Sequence, residues 1–262
     1  MWATDLHLNF VGLTKTAEFC KRIKAENEFD IVVISGDIAE APNVVEYLKT
    51  LEKHIAKPIY FILGNHDFYH GSIKEMFYIM KDLSDNSEYL NWLTVCSPIV
   101  LGKDTCMIGR ESWNDCLYGN WNESNVVLND YKYIDEFRRL NKNDLYNKLG
   151  SLAGLTAAKI EDKLRIVLTD YKNVFLITHV PMFKEICCWR GKMSGEDYLP
   201  HYSNKTIGVM LFQVMKYNID NNLTVLCGHT HGQVEKQITD NIYVKVGDGV
   251  YNAPKIQEII TV

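Results

Sequence analysis

Ile31-Val32-Val33-Ile34-Ser35-Gly36-Asp37 and Ile59-Tyr60-Phe61-Ile62-Leu63-Gly64-Asn65-His66-Asp67 are two short apolar runs, each breaking at its end into glycine and polar side chains that are costly to bury unpaired. Runs of this length, rich in β-branched and aromatic residues, read as strands buried on both faces. From about 14 to 28 and from about 42 to 55, apolar residues recur at helical spacing, and Pro42 fits a helix start. Strands alternating with helices in this way imply right-handed crossovers and a mostly parallel sheet.

Working outward, the same pattern recurs. Trp2-Ala3-Thr4 leads into Asp5-Leu6-His7, Val174-Phe175-Leu176-Ile177 into His179, and Leu223 to Leu226 into Gly228-His229-Thr230-His231. Ligand sites of open α/β sheets lie just beyond the C-terminal ends of the strands. An Asp-x-His, a Gly-Asp or a lone histidine is common by chance, and each alone suits a hydrogen-bonded structural role. All five motifs, in order and each after a strand, are hard to explain that way.

The remainder supplies scaffold. Ser72 with Glu75 makes a capping-box pattern ahead of Met76, Phe77 and Ile79. Trp92 to Val95, Ile99 to Leu101 and Cys106 to Ile108 read as strands, and about 130–172 as a pair of solvent-exposed helices remote from any chemistry. Irregular chain from Pro181 to Ser203 precedes a helix from about Asn204 to Tyr217. Ile238 to Val246, broken at Asp240-Asn241, reads as a hairpin, and Ile256 to Ile260 as a last edge strand. With no internal repeat or linker, residues 1–262 are expected to form one domain carrying a helical insertion at about 130–172.

Composition narrows the function. With 47% hydrophobic and 23% charged residues in 262, the chain has the makeup of an ordered globular protein. Its net charge of −5, and the lack of any Lys/Arg run of five, disfavour nucleic acid and anionic membrane surfaces as partners. No apolar stretch approaches the ~20 residues of a membrane span and no secretory signal is visible, so a cytoplasmic location is expected. Seven cysteines without a C-x-x-C pair are expected to be free thiols.

The ordered set Asp5-x-His7, Gly36-Asp37, Gly64-Asn65-His66-Asp67, His179 and Gly228-His229-x-His231 resembles the signature of the calcineurin-like metallophosphoesterase superfamily. It spans residues 5 to 231. The resemblance implies an α/β fold, a β-sandwich of two mixed sheets flanked by helices in four αββα layers. It also implies a two-metal centre, with Asp5, His7, Asp37 and His231 on one divalent ion and Asn65, His179, His229 and the shared Asp37 on the other. Such mixed carboxylate, amide and imidazole ligands suit Mn, Fe, Zn or Ni. The pair of cations leaves the site positive despite its carboxylates. The activity implied is hydrolysis of a small-molecule phosphate ester, mono- or diester, by a metal-bridging hydroxide. His66 would stabilise the transition state or protonate the leaving group, with Asp67 orienting its ring.

Three other readings are compatible with the motifs. A nuclease is disfavoured by the acidic surface, and a phosphoprotein phosphatase by the lack of arginine between Asp37 and Asp67. A non-catalytic scaffold, like the retromer subunit on this fold, is disfavoured because all seven ligands and His66 are present. Gly36, Gly64 and Gly228 are expected to allow tight turns, often at positive φ. The first strand is shorter than is usual in the family, which is expected either to hold Asp5 and His7 less firmly or to leave them pinned between neighbouring chain. Outside the signature, His54 reads as a surface residue. His70, Arg110, Trp113, Asn114, Asp115 and His201 are candidate substrate contacts, set against structural roles. The loop at about 181–203, with Cys188, Trp189, Arg190 and Tyr198, is expected either to cover substrate or to pack on the 130–172 helices.

Overall fold

The structure is a computed structural model and describes residues 1–189 and 191–262; Arg190, one of the loop candidates, lies outside them. Strands β1 (Trp2–Ala3), β2 (Val32–Ser35), β3 (Ile59–Ile62) and β4 (Leu90–Trp92) form a parallel sheet in chain order. Helices α1 (Leu13–Glu26), α2 (Val44–Ile55) and α3 (Ile73–Asp85) connect them. A second sheet takes β5 (Ile99–Gly102), β6 (Thr105–Gly109), β7 (Asn173–Ile177), β10 (Asn222–Cys227), β11 (Val234–Thr239) and β12 (Ile242–Val246) in the order β11-β12-β10-β7-β6-β5. Its four central strands are parallel and its two edge strands antiparallel. A small hairpin, β8 (Cys188–Trp189) and β9 (Lys192–Met193), stands apart.

Strand periodicity divides the apolar side chains among three layers of core. Successive strand residues point to opposite faces, so Val32, Ile34, Ile59 and Phe61 pack with Phe19, Leu48 and Met76 from the helices of the first sheet. Val33, Ile62, Met107, Ile177 and Leu226 meet between the two sheets, together with Trp2 and Leu93. Cys106, Val174, Leu176, Leu223 and Val225 face Ile160, Leu164, Leu211 and Val214, from α5 (Lys142–Val167) and α7 (Lys205–Met215). Each fully buried side chain of Leu, Ile or Phe size stabilises this stack by about 1.5–3 kcal/mol. The result is the expected helix-sheet-sheet-helix sandwich.

Several expectations give way to tertiary packing. Instead of two exposed helices, the 130–172 region forms one turn, α4 (Asp130–Tyr133), and the long α5, which buries Leu145, Leu149, Ala153, Ile160 and Leu164 along one side. Its surface charges hid an apolar stripe. α2 starts at Val44, leaving Pro42 in the preceding turn, and Trp92 ends β4 rather than opening a strand. The 256–260 tail makes only an antiparallel bridge from Glu258 to Trp2. That bridge matters, because it closes the far side of β1. The first strand is pinned rather than loose: Trp2 and Ala3 pair with β2, and the Asp5, His7 and Leu8 amides donate to the carbonyls of Gly36, Asp37 and Ile38. Ser72 caps α3 as expected, accepting from the Glu75 amide, with the Glu136 carboxylate adding bonds from Ser72, Ile73 and Lys74.

Candidate metal centre

The five motifs follow β1, β2, β3, β7 and β10, all parallel strands ending on the same edge of the sandwich. Their side chains converge there in two halves that share Asp37. In the first half, one ligand-type atom from each of Asp5, His7, Asp37 and His231 lies within 4.8 Å of the others. His7 Nε2 is 3.0 Å from His231 Nε2 and 3.8 Å from Asp37 Oδ2, and His231 Nε2 is 3.3 Å from Asp5 Oδ1. In the second half, Asn65 Oδ1 sits 3.1 Å from His179 Nε2 and 2.9 Å from His229 Nδ1, while His179 Nε2 is 3.3 Å from Asp37 Oδ1.

Burial and charge work against each other across this cluster. Burial works against ionising Asp37, yet the charges of His179 and His66 outweigh it and hold the carboxyl well below its ordinary range. Burial likewise works against Asp5, and the bond to His231 together with the charges of His179 and His231 outweighs it and lowers the pKa. His179 is pushed to about 10, burial being overcome by Asp37, whereas burial drives His7 to about 4 and, with the charge of His179, His229 to about 3. His7 and His229 are thereby neutral and Asp5 and Asp37 ionised, while His179 holds a proton that a bound cation would displace. Such donors fit divalent cations that accept mixed nitrogen and oxygen ligands.

Backbone geometry explains how the side chains turn inward. Asp5, His7, Asp37, His229 and His231 all adopt left-handed φ, between 43° and 73°, where non-glycine residues are rare. Strain of this kind, of order 1–3 kcal/mol per residue, collects at functional sites. Gly36 meets the expected positive φ, at 99°, but Gly64 and Gly228 do not. Their role is close approach: a Cβ on Gly64 would collide with Asp37 Oδ1, and one on Gly228 with Asp5 Oδ2.

His66 lies beside the shared carboxylate, its Nε2 4.0 Å from Asp37 Oδ2 and its ring stacked on Tyr69 at 4.2 Å. It is partly open to solvent, at 16% side-chain exposure. Asp67 does not orient it. Its Oδ1 accepts the amides of Ile38 and Ala39 and its Oδ2 that of Gly64, so this carboxylate staples the loop after β2 to the loop after β3. Burial and the charge of Asp37 raise its pKa to about 7.

The sequence reading missed Asp130, Tyr69, Tyr202 and Tyr251. Asp130 is buried and accepts from Asn65 and Tyr69, so the supposedly remote 130–172 segment reaches the centre. Tyr202 packs 5.2 Å from His229, and Tyr251 lies 4.6 Å from His7. None belongs to a local motif, so no signal in one sequence marks them. Of the other candidates, Trp113 is core, Asn114 and Asp115 tie down Pro200 and Thr206, and His201 is buried between Ser124 and Tyr131. These contacts favour packing for the start of α6 (Leu199–Tyr202). His70 faces Glu40 on the surface, and burial, with the nearby Arg110 charge adding to it, lowers the pKa of Lys163. All seven cysteines are free.

A sequence model of the family described as "Calcineurin-like phosphoesterase" matches residues 1–233. The chain belongs to that family. Among curated proteins, the chain is 32% identical over 77 residues to a 3′,5′-cyclic adenosine monophosphate phosphodiesterase, CpdA, of Haemophilus influenzae. The match spans 25% of this chain and 28% of that relative. Among solved structures, it is similar to a phosphopantetheinyl hydrolase, PptH, from Mycobacterium tuberculosis, with a TM-score of 0.66 at 15% identity over 96% of this chain and 89% of the other. A dimetal phosphatase from Danio rerio aligns with a TM-score of 0.58 at 11% identity, over 97% and 88% of the two chains. These likenesses show the fold. Among the described residues, no helix is long and apolar enough to cross a membrane.

Proposed function

We propose that the protein hydrolyses small phosphate esters with two divalent cations, one held by Asp5, His7, Asp37 and His231 and the other by Asn65, His179, His229 and the shared Asp37. The observation that carries this reading is the convergence of donor atoms from five strand ends, with Asn65 Oδ1 and Asp37 Oδ1 each within 3.3 Å of His179 Nε2. When bound, such a pair of ions, Mn, Fe, Zn or Ni, supplies Lewis-acid activation of the phosphoryl group and of water. His66, beside Asp37 and reachable from solvent, is the residue placed to give a proton to the departing oxygen. Asp67 keeps the loops that carry Asp37 and His66 in register through its three backbone amides.

The rim fits a small ester better than a polyanion. Phe10 and Tyr251, each about half exposed, pack 4.9 Å apart beside His7, a surface for a flat or apolar part of the substrate. Among the described residues, no lysine or arginine pairs with Asp5 or Asp37. The partial match to a cyclic nucleotide phosphodiesterase makes cyclic diesters the first class to test. Metal analysis of the purified protein and assays with p-nitrophenyl phosphate, bis-p-nitrophenyl phosphate and cyclic AMP test the reading. Two bound ions and turnover of at least one ester are expected; no bound transition metal and no turnover after Mn addition would sink it.

A further inference from the structure

Asn65 differs from the other candidate ligands in that its two ends are not equivalent: the amide oxygen can hold a cation and the nitrogen cannot. A free asparagine would present either. Here Nδ2 donates to Asp130 Oδ1 at 2.9 Å and lies 3.4 Å from the Tyr69 hydroxyl, which leaves Oδ1 facing His179 and His229. The same Asp130 oxygen accepts the Tyr69 hydroxyl at 2.5 Å, and the Tyr69 ring carries His66. Asp130 is 2% exposed, and among the described residues it forms no ion pair with lysine, arginine or histidine. A buried carboxylate without a cationic partner is costly to keep. What it provides in return is acceptor capacity at one point.

We propose that Asp130 is a positioning residue of this centre: it locks the Asn65 amide with its oxygen toward the second cation and seats Tyr69 beneath His66. Two segments far apart in sequence, the turn after β3 and helix α4, thereby act as one unit. The inference rests on the two-cation reading above. A role confined to packing would require only that the space be filled.

Calorimetric titration of chelator-stripped protein with Mn²⁺ or Zn²⁺ separates these cases. Wild type is expected to take two equivalents. Asp130→Ala should retain the first and bind the second roughly 10–100-fold more weakly, as is usual when the partner of a metal ligand is lost. Asp130→Asn, whose amide oxygen can accept both bonds, should stay within a few-fold of wild type, and Tyr69→Phe should keep both ions. The exchanged pair, Asn65→Asp with Asp130→Asn, reverses donor and acceptor but again aims an oxygen at the centre, so it too should bind two. Two equivalents at wild-type affinity in Asp130→Ala would overturn the proposal alone. So would loss of the second ion in the exchanged pair with a native circular dichroism spectrum, the measurement that decides if the alanine variant does not fold. A wild-type chain that takes one equivalent only would overturn the two-cation reading and this inference with it.

Discussion

The two halves of the centre are held by different means. The half made of Asp5, His7, Asp37 and His231 depends on backbone: all four residues sit at left-handed φ, and amide bonds to the Gly36 and Asp37 carbonyls fix the loop after β1. The half made of Asn65, His179 and His229 depends on side chains. Only His229 has positive φ there, while Asp130 grips Asn65 and the Ser35 carbonyl lies 2.8 Å from His179 Nδ1. The first half is also the more open, with His231 at 18% side-chain exposure against 0% for His179. Strain tolerates little change of sequence at the ligand itself, whereas a hydrogen-bonded network can be broken from a distance.

The largest effect should come where the halves meet. Asp37→Ala is expected to remove uptake at both and abolish turnover, read by metal analysis and ester hydrolysis; one ion retained at full affinity would show that the halves do not share this carboxylate. Next, His66→Ala should leave both ions bound and lower turnover by roughly 10²–10⁴-fold. Wild-type rates in that variant would remove the residue from the reaction.

Gly36→Ala probes the seam between the two. Its φ is 99° and a Cβ would stand 2.5 Å from His179 Nδ1 and 2.8 Å from Gly64 Cα. A loss of more than about 1 kcal/mol in unfolding free energy is expected, with weaker binding at the His179 half. An unchanged denaturation midpoint would refute the close approach.

The smallest effect concerns the helix that follows the third motif. The Glu136 carboxyl is partly buried, yet bonds from the Ile73 amide, the Ser72 hydroxyl and the Lys74 amide outweigh that burial and hold its pKa below the usual 4.5. A depressed carboxylate adds stability that is present above its unfolded value and is lost as pH falls through the folded one. Glu136→Gln should therefore narrow the gap in melting temperature between neutral pH and pH below about 4. A gap equal to wild type would show that the contact contributes nothing.

The candidate centre was legible because each ligand follows a strand directly, within a motif of one to four residues. The sandwich was legible because its strands are short, apolar and regularly interrupted. Three things were not. α5 hides its apolar stripe among charged neighbours, so periodicity there was outweighed by composition. Asp67 reads as a partner for its neighbour His66, yet it turns to the amides of Ile38, Ala39 and Gly64. Asp130 lies 65 residues from Asn65, and nothing about a lone Asp-Tyr dipeptide announces a contact at that range.

By itself, the sequence determined which side chains stand at strand ends, because strand period and glycine-bounded turns are local consequences of side-chain size and backbone sterics. Only the tertiary structure decided which of them face one another, which backbones bear left-handed φ, and which distant carboxylate aims an amide. Those outcomes follow from packing two sheets and their helices into one dense sandwich, where most buried polar atoms find partners that the chain alone does not name.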